Sequence, residues 1–393
     1  IFQISFVCTM PPRSSIRMTY IEFYCGIGGW TMALEEAVRK LSSRSIRLSR
    51  LAALDHSCLS TTVMEYNFPS QESSNTKEKI SPTFSIERLS LDQVHLWDAD
   101  IWCMSPPCQP HTRQHDKQDL ELQDLRSKSF LHICQLLRDM KDDKLPTMLL
   151  MENVVGFERS GSCHRLRTAL KERNYVVAHF HLTPTQVGIP NDRPRYYCIA
   201  IRENLYNCES GYSTFKKEVD VNIAPIVQSE LPFSDIISHT IPPISDFIDP
   251  KNDQCNALHI PSKLIESSSA WCFDIVSPQD SRSACFTHSY GKFVRGTGSI
   301  LYTGPPDPRI KLQSPEERQY DSKWKEGIDF SRHLRYFSGL EVSKLMGFPD
   351  DFAFPPNYTM KQQWKLVGNS LNVAVAAKLC EIVLRCTNMK LDS

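Results

Sequence analysis

A glycine turn set between an apolar strand and an amphipathic helix constrains this 393-residue chain more than any other feature. Tyr20–Tyr24 is apolar and aromatic, Cys25-Gly26-Ile27-Gly28-Gly29 is the turn, and Trp30–Val38 repeats its apolar residues at helical spacing. The alternation continues downstream. Leu51–Leu54 reads as a strand tipped by Asp55, Asp100–Met104 as a strand stopped by Ser105-Pro106-Pro107, and Thr147–Met151 as a strand ending at Glu152. Phe130–Met140 has helical periodicity, and Val176–Leu182 and Arg195–Ile201 close the strand series. Strands alternating with helices predict an α/β fold: a mostly parallel sheet with helices on both faces, and ligands at the carboxyl ends of its strands.

The length exceeds one ordinary domain. After residue 203 the chain turns polar, and 205–270 is rich in Ser, Pro, Asn and Asp before Leu340–Phe348 and Asn372–Leu384 return to helical spacing. The predicted organisation is a non-native or disordered leader over 1–17, a catalytic domain over 18–203, a smaller domain over 204–335, and a segment over 336–393 that rejoins the first. Hydrophobic residues at 41% against 23% charged fit a chain with a real core. Forty-five basic and forty-five acidic residues cancel, which excludes a basic DNA-coating protein but leaves room for a local basic groove. Fourteen scattered cysteines, none in a Cys-x-x-Cys pair, predict reduced thiols and an intracellular location. No stretch reads as the ~20 apolar residues of a membrane span. Ile1–Met10 lacks the basic start of a signal peptide, and Met10 and Met18 are candidate true starts.

Several residues carry chemistry. A dinucleotide fingerprint would place a third glycine at 31, where Thr31 stands, so NAD and FAD are disfavoured and a nucleoside-like cofactor stays open beside a ligand-free turn. Asp55 is placed either to accept hydrogen bonds from a ribose or to cap a helix. Three prolines stiffen the loop Ser105-Pro106-Pro107-Cys108-Gln109-Pro110 at a strand's end and present Cys108. Its thiol, with an ordinary pKa near ~8.5, needs neighbouring positive charge to act as a nucleophile. Cys103, Cys108, His111 and His115 also cluster, but only two residues separate Cys108 from His111, so a nucleophile is favoured over zinc and no metal is expected. Glu152-Asn153-Val154 puts a carboxyl group at the same sheet edge; a surface glutamate is the alternative. Arg193 and Arg195, two apart on extended chain, point to one face as a cationic clamp or as structural ion pairs.

Taken in order, Phe23-Tyr-Cys-Gly-Ile-Gly-Gly29, Pro106-Pro-Cys-Gln109, Glu152-Asn-Val154, Arg193-Pro-Arg195 and Gly368-Asn369-Ser370 resemble the motifs of the cytosine-C5 methyltransferases. Cys285-Phe-Thr287, Tyr290-Gly…Gly296-Thr-Gly-Ser299, Leu334-Arg-Tyr-Phe337, Leu345-Met-Gly-Phe-Pro349 and Leu366–Val373 resemble the tRNA aspartate methyltransferase branch of that family. The resemblance spans roughly 19–385, least over 205–270. The branch carries Phe where His111 stands, and the basic run Arg39–Arg50 is longer than its usual connection.

The resemblance implies a Rossmann-like class I methyltransferase fold, with a mixed, mostly parallel sheet plus a smaller target-recognition domain. It implies methyl transfer from S-adenosyl-L-methionine, yielding S-adenosyl-L-homocysteine, to C5 of cytosine 38 in the anticodon loop of tRNA-Asp. Cys108 would add to C6, Glu152 would bond N3 and the exocyclic amine, and Arg193 and Arg195 would supply positive charge. The cofactor would sit on Phe23, Ile27, Gly28 and Gly29, with Asp55 at the ribose and Ile86 and Glu87 around adenine. Ser105, Asn369 and Ser370 would complete its pocket. A tRNA partner, weak or no activity on duplex DNA, no membrane, a monomer, and a cytoplasmic location with the nucleus as a second compartment are expected. A DNA cytosine methyltransferase is the alternative within the same chemistry. A weakly active cofactor-binding protein that interacts with RNA is the alternative outside it.

Overall fold

The structure, a computed structural model, describes residues 16–41, 46–69, 83–107, 125–207, 214–232, 235, 237–238, 240–305, 315–321 and 323–388. β1 (Ile16–Phe23) lies between parallel β2 (Ile46–Leu54) and β3 (Ile101–Met104), and β3 pairs in parallel with β4 (Met148–Val154). β6 (Arg195–Arg202) then inserts antiparallel between β4 and β5 (Tyr175–Leu182). The sheet order is β2-β1-β3-β4-β6-β5-β7, with β7 spanning Lys216–Lys217, so the expected α/β architecture with a mixed sheet is present.

The central strands are apolar on both sides because both sides are covered. Ile101 and Cys103 of β3 face a core that includes α1 (Gly29–Lys40) and α8 (Val373–Arg385). Trp102 and Met104 face the opposite core, which contains α4 (Leu125–Asp139) and α5 (Gly161–Glu172). β2 behaves differently. It is an edge strand, and its Ile46-Arg-Leu-Ser-Arg start is only partly buried, which suits charged side chains at a sheet edge. Of the basic run Arg39–Arg50, Arg39 and Lys40 thus end α1 and the last five residues begin β2. β1 likewise begins at Ile16, inside the stretch assigned to the leader.

Helices α2 (Cys58–Asn67), α3 (Leu91–Trp97), α6 (Gly339–Leu345) and α7 (Met360–Asn369) complete the main body. Met360–Arg385 is long and apolar enough to cross a membrane, with a mean hydropathy of 1.4 over its best window. That window is 83% buried inside the fold, and the stretch breaks between α7 and α8, where Asn372 caps α8 by accepting from Val375 N at 3.1 Å. This is how core helices behave.

The smaller unit holds a three-stranded sheet of β9 (Ile275–Val276), β10 (Ile300–Tyr302) and β11 (Leu334–Arg335), packed on Phe273, Trp324 and Phe330. It starts later than residue 204. β7 (Lys216–Lys217) and β8 (Val227–Gln228) both pair with β5 in the main sheet. Glu218 fastens this segment: its carboxylate accepts from Arg167 of α5 at 2.6 and 2.8 Å and lies 2.9 Å from His179 Nε2 of β5. The polar composition of the segment conceals two strands of two residues each.

Candidate active site

The glycine turn closes through Gly28 N donating to Cys25 O at 2.8 Å. Gly28 has φ of 92° and caps α1, and a Cβ there would lie 2.4 Å from Met64 Sδ. A Cβ on Gly29 would lie 2.8 Å from the Leu371 side chain and 3.3 Å from Ser370 Oγ, so the turn and the chain after α7 are in direct contact. Beneath the turn, the buried Glu22 carboxyl accepts from Trp30 N and Thr31 N, each at 3.0 Å, and from Thr31 Oγ1 at 2.6 Å. Burial pushes its pKa up to about 7 despite those three donors. Trp30 Nε1 donates to Ser105 Oγ at 3.0 Å, which joins the turn to the end of β3.

Asp55 directly follows β2 with both carboxylate oxygens engaged. Oδ2 accepts from Gly26 N at 3.0 Å and Oδ1 from Ser57 N at 2.8 Å. The cap of α2 is Ser57, not Asp55, because the Ser57 hydroxyl accepts from Ser60 N. Phe84 N donates to Asp55 O, and the single turn Ile86–Arg88 follows, with Ile86 buried in the core and Glu87 exposed. Phe23 packs its ring edge-on against Trp102, centroids 5.2 Å apart, so its main chain is what it offers at the strand end. Ile27 is buried as well. Asn369, the last residue of α7, is exposed.

Glu152 lies within β4 rather than beyond it, opposite Tyr197 of β6. Its carboxyl is buried, and Arg195 Nε stands 3.3 Å from Oε1. Burial raises the Glu152 pKa, with Arg195 and then Arg193 pulling against it. Next to it, Asn153 Nδ2 donates to Pro106 O at 3.2 Å and fixes the start of the proline loop to β4.

Arg193 is only 3% exposed. Its guanidinium donates to Phe286 O at 2.6 Å, Gly368 O at 3.0 Å, Ser370 O at 2.7 Å and Cys285 Sγ at 3.3 Å. It thus braces main chain from two distant segments, where sequence reasoning gives it a substrate-facing charge. Arg195 Nη2 also reaches Cys285 Sγ, at 3.7 Å. Burial would raise the Cys285 thiol, but the Arg193 and Arg195 charges outweigh it and hold the pKa below the ordinary value. Cys285 is the member of this cluster that sequence reasoning leaves without a role. Its signal is the Cys-Phe-Thr motif itself.

These contacts form a closed ring at one edge of the sheet: Gly26 to Asp55, Trp30 to Ser105, Pro106 to Asn153, Glu152 to Arg195, Arg195 to Cys285, Arg193 to Ser370, and Ser370 back to Gly29. Cys108, Gln109, Pro110, His111 and His115 lie outside the described residues, two positions or more beyond Pro106. Among the described residues no group of three His, Cys, Asp or Glu side chains is arranged to hold a metal ion, and Cys103 is fully buried in β3.

The chain matches the family model described as C-5 cytosine-specific DNA methylase over residues 18–385. It is 31% identical to a human tRNA (cytosine(38)-C(5))-methyltransferase over 92% of this chain and 98% of that one. It is 32% identical to a Dictyostelium discoideum DNA (cytosine-5)-methyltransferase over 94% of each. A crystal structure of a Spodoptera frugiperda DNMT2 mutant superposes with a TM-score of 0.73 at 31% identity, covering 93% of this chain and 99% of that one. The Schizosaccharomyces pombe Dnmt2 structure gives 0.68 at 26% identity, covering 94% and 98%. A mixed sheet with this strand order, a glycine turn under a buried carboxyl, and a match running through nearly the whole chain leave one assignment: the protein belongs to the C-5 cytosine-specific methylase family and is a cytosine-C5 methyltransferase.

Proposed function

We propose that the protein transfers a methyl group from S-adenosylmethionine to C5 of cytosine in tRNA, at cytosine 38 of the anticodon loop of tRNA-Asp. The observation that carries the chemistry is the buried Glu152–Arg195 pair, placed beside Cys285 at the sheet edge from which the Pro106-Pro107 loop departs. Curated relatives from human, Spodoptera frugiperda and Schizosaccharomyces pombe, named tRNA (cytosine(38)-C(5))-methyltransferases, support the substrate.

Cytosine C5 is a weak nucleophile. Cys108, as the nucleophile, forms an S–C6 bond and turns the ring into an enamine. Glu152, biased by burial toward its protonated form, donates to N3 and takes up the charge that addition places there. Arg195 holds that carboxyl in position, and Arg193 is a positioning residue that ties Cys285 to the Gly368–Ser370 segment. Once C5 has gained its methyl group, its proton passes to a base. The S–C6 bond then breaks with its electrons returning to sulfur, and C5=C6 is restored.

The donor set around the glycine turn fits S-adenosylmethionine. Asp55 offers carboxylate lone pairs for a ribose beyond the two amides it already accepts, and Ile86 and Glu87 are an apolar and an acidic neighbour for adenine. The main chain from Phe23 to Gly29, with Ser105, Asn369 and Ser370, would take the amino-acid end. Bound there, the cofactor supplies an electrophilic methyl group on a sulfonium.

A base must leave its stack to reach such a site, and a hairpin-loop base does so at less cost than a paired one. The Dictyostelium relative favours duplex DNA as a second reading. Incorporation of labelled methyl groups into folded tRNA and duplex DNA at equal concentration separates the two. The tRNA reading requires faster labelling of tRNA; faster labelling of duplex DNA overturns it and leaves cytosine chemistry standing. Folded Cys108→Ala that still turns over would remove the covalent route.

A further inference from the structure

The loop that follows Cys285 carries three exposed residues that the chemistry above does not use: Lys292, Phe293 and Arg295. Phe293 is 58% exposed, and Lys292 Nζ lies 5.3 Å from its ring centroid. From Ser289 to Ser299 the sequence contains no acidic residue, and neither Lys292 nor Arg295 pairs with a carboxylate among the described residues. Phe293 thus stands exposed in a basic stretch of the loop, with one of its two cations over the ring.

The loop is not slack. Thr287 N donates to Thr297 O at 3.0 Å and closes its base two residues from Cys285. Thr297 Oγ1 donates to Phe293 O at 2.8 Å and fixes the main chain that carries the ring. Tyr290 OH donates to Ser299 O at 2.6 Å, and Gly291 lies so close to Trp364 of α7 that a Cβ would approach it to 2.4 Å. Gly368, whose carbonyl Arg193 binds, packs on the Thr287–His288 main chain. The main chain that carries Phe293 is therefore fixed, and the base of its loop lies beside Cys285 at the catalytic edge.

We propose that Phe293 is a stacking platform for an unpaired base next to the target cytosine, with Lys292 and Arg295 binding the phosphates on either side. Aromatic stacking combined with cations that track the backbone is how single strands are held without base-edge readout. Duplex DNA offers no unpaired neighbour to stack, so the loop favours a single-stranded loop over a duplex. The proposal rests on the tRNA reading and refines it.

The test uses the full chain and an RNA hairpin of anticodon stem-loop size with a cytosine in its loop, read by fluorescence anisotropy, which needs no turnover. Phe293→Ala should weaken binding about tenfold, Phe293→Tyr should restore it, and S-adenosylmethionine affinity should stay at wild type in both. Lys292→Ala combined with Arg295→Ala should flatten the plot of log affinity against log salt by about 1.4, at ~0.7 per phosphate contact on a single strand. Wild-type affinity and salt slope in these variants, or no measurable wild-type binding to the hairpin, overturn the platform. Preferential methylation of duplex DNA by the wild-type protein would instead defeat the tRNA reading, and the hairpin titration judges the platform separately.

Discussion

The Arg193 guanidinium donates to the Cys285 thiol across 3.3 Å while it binds the carbonyl oxygens of Phe286, Gly368 and Ser370. One buried cation thus joins the start of β6, the Cys-Phe-Thr segment and the end of α7. Burial would raise the thiol, but Arg193 and Arg195 together hold its pKa below that of an ordinary cysteine.

Cys285 should accordingly be alkylated by iodoacetamide at lower pH than an ordinary cysteine, because a depressed pKa preserves thiolate as pH falls. Arg195→Gln removes one of the two charges and should move the profile to higher pH. Peptide mapping by mass spectrometry across a pH series distinguishes Cys285 from the other thiols. A profile matching that of the unfolded chain would mean that the arginines do not act on the thiol.

Glu152→Gln should lower the methyl-transfer rate by roughly 10²–10⁴-fold, the usual contribution of a positioned acid. The amide is nearly isosteric, so Arg195 keeps a neutral acceptor and the loss of stability should stay at about 1–3 kcal/mol. Single-turnover kinetics beside a denaturant titration checks both halves, and full activity in the folded variant would dismiss Glu152 as the acid.

Glu22 should give the fold a distinctive pH response. Its folded pKa of about 7 lies above the ordinary 4.5, so the native state binds the proton more tightly than the unfolded chain does. The stability linked to it is fully present below pH 4.5 and declines as pH rises toward 7, by about 3 kcal/mol in all. Denaturant midpoints across that range should fall in the wild type more than in Glu22→Gln. Parallel curves would place the titration elsewhere.

Asp55→Ala should reduce cofactor affinity and stability together. The carboxylate fixes the Gly26 amide as well as offering lone pairs to a ribose, and ribose bonds of that kind are worth ~1–3 kcal/mol. Calorimetric titration with S-adenosylmethionine and a melting curve measure the two effects. Lower stability with unchanged affinity would leave Asp55 as a brace for the turn alone.

The sequence displays what is local. Asp55, Ser105 and Glu152 stand out because turn residues or strand ends punctuate apolar runs, and those positions do line one sheet edge. What it conceals depends on partners far along the chain. The carbonyls that bind Arg193 lie up to 177 residues away, and the arginines that approach Cys285 lie about 90 residues upstream of it. Glu22 sits inside β1, in a run that reads as apolar, yet its carboxyl accepts from Trp30 N and Thr31 N in the first turn of α1. Helices α5 and α7 start at the caps Ser160 and Thr359, which polar neighbours keep from standing out in the sequence. β7 and β8 are too short to show a period at all.

The cover over α1 has a consequence for synthesis. Trp30, Ala33, Leu34 and Ala37 share a core with α8, and Leu371 closes over Gly29, so the first helix is buried by chain synthesised long after it. At ~5–20 residues per second, the stretch between Arg202 and Arg385 takes roughly 10–40 s to emerge. Through that interval α1 has no α8 to cover its apolar face. The speed of translation across the intervening domain sets how long that face stays bare.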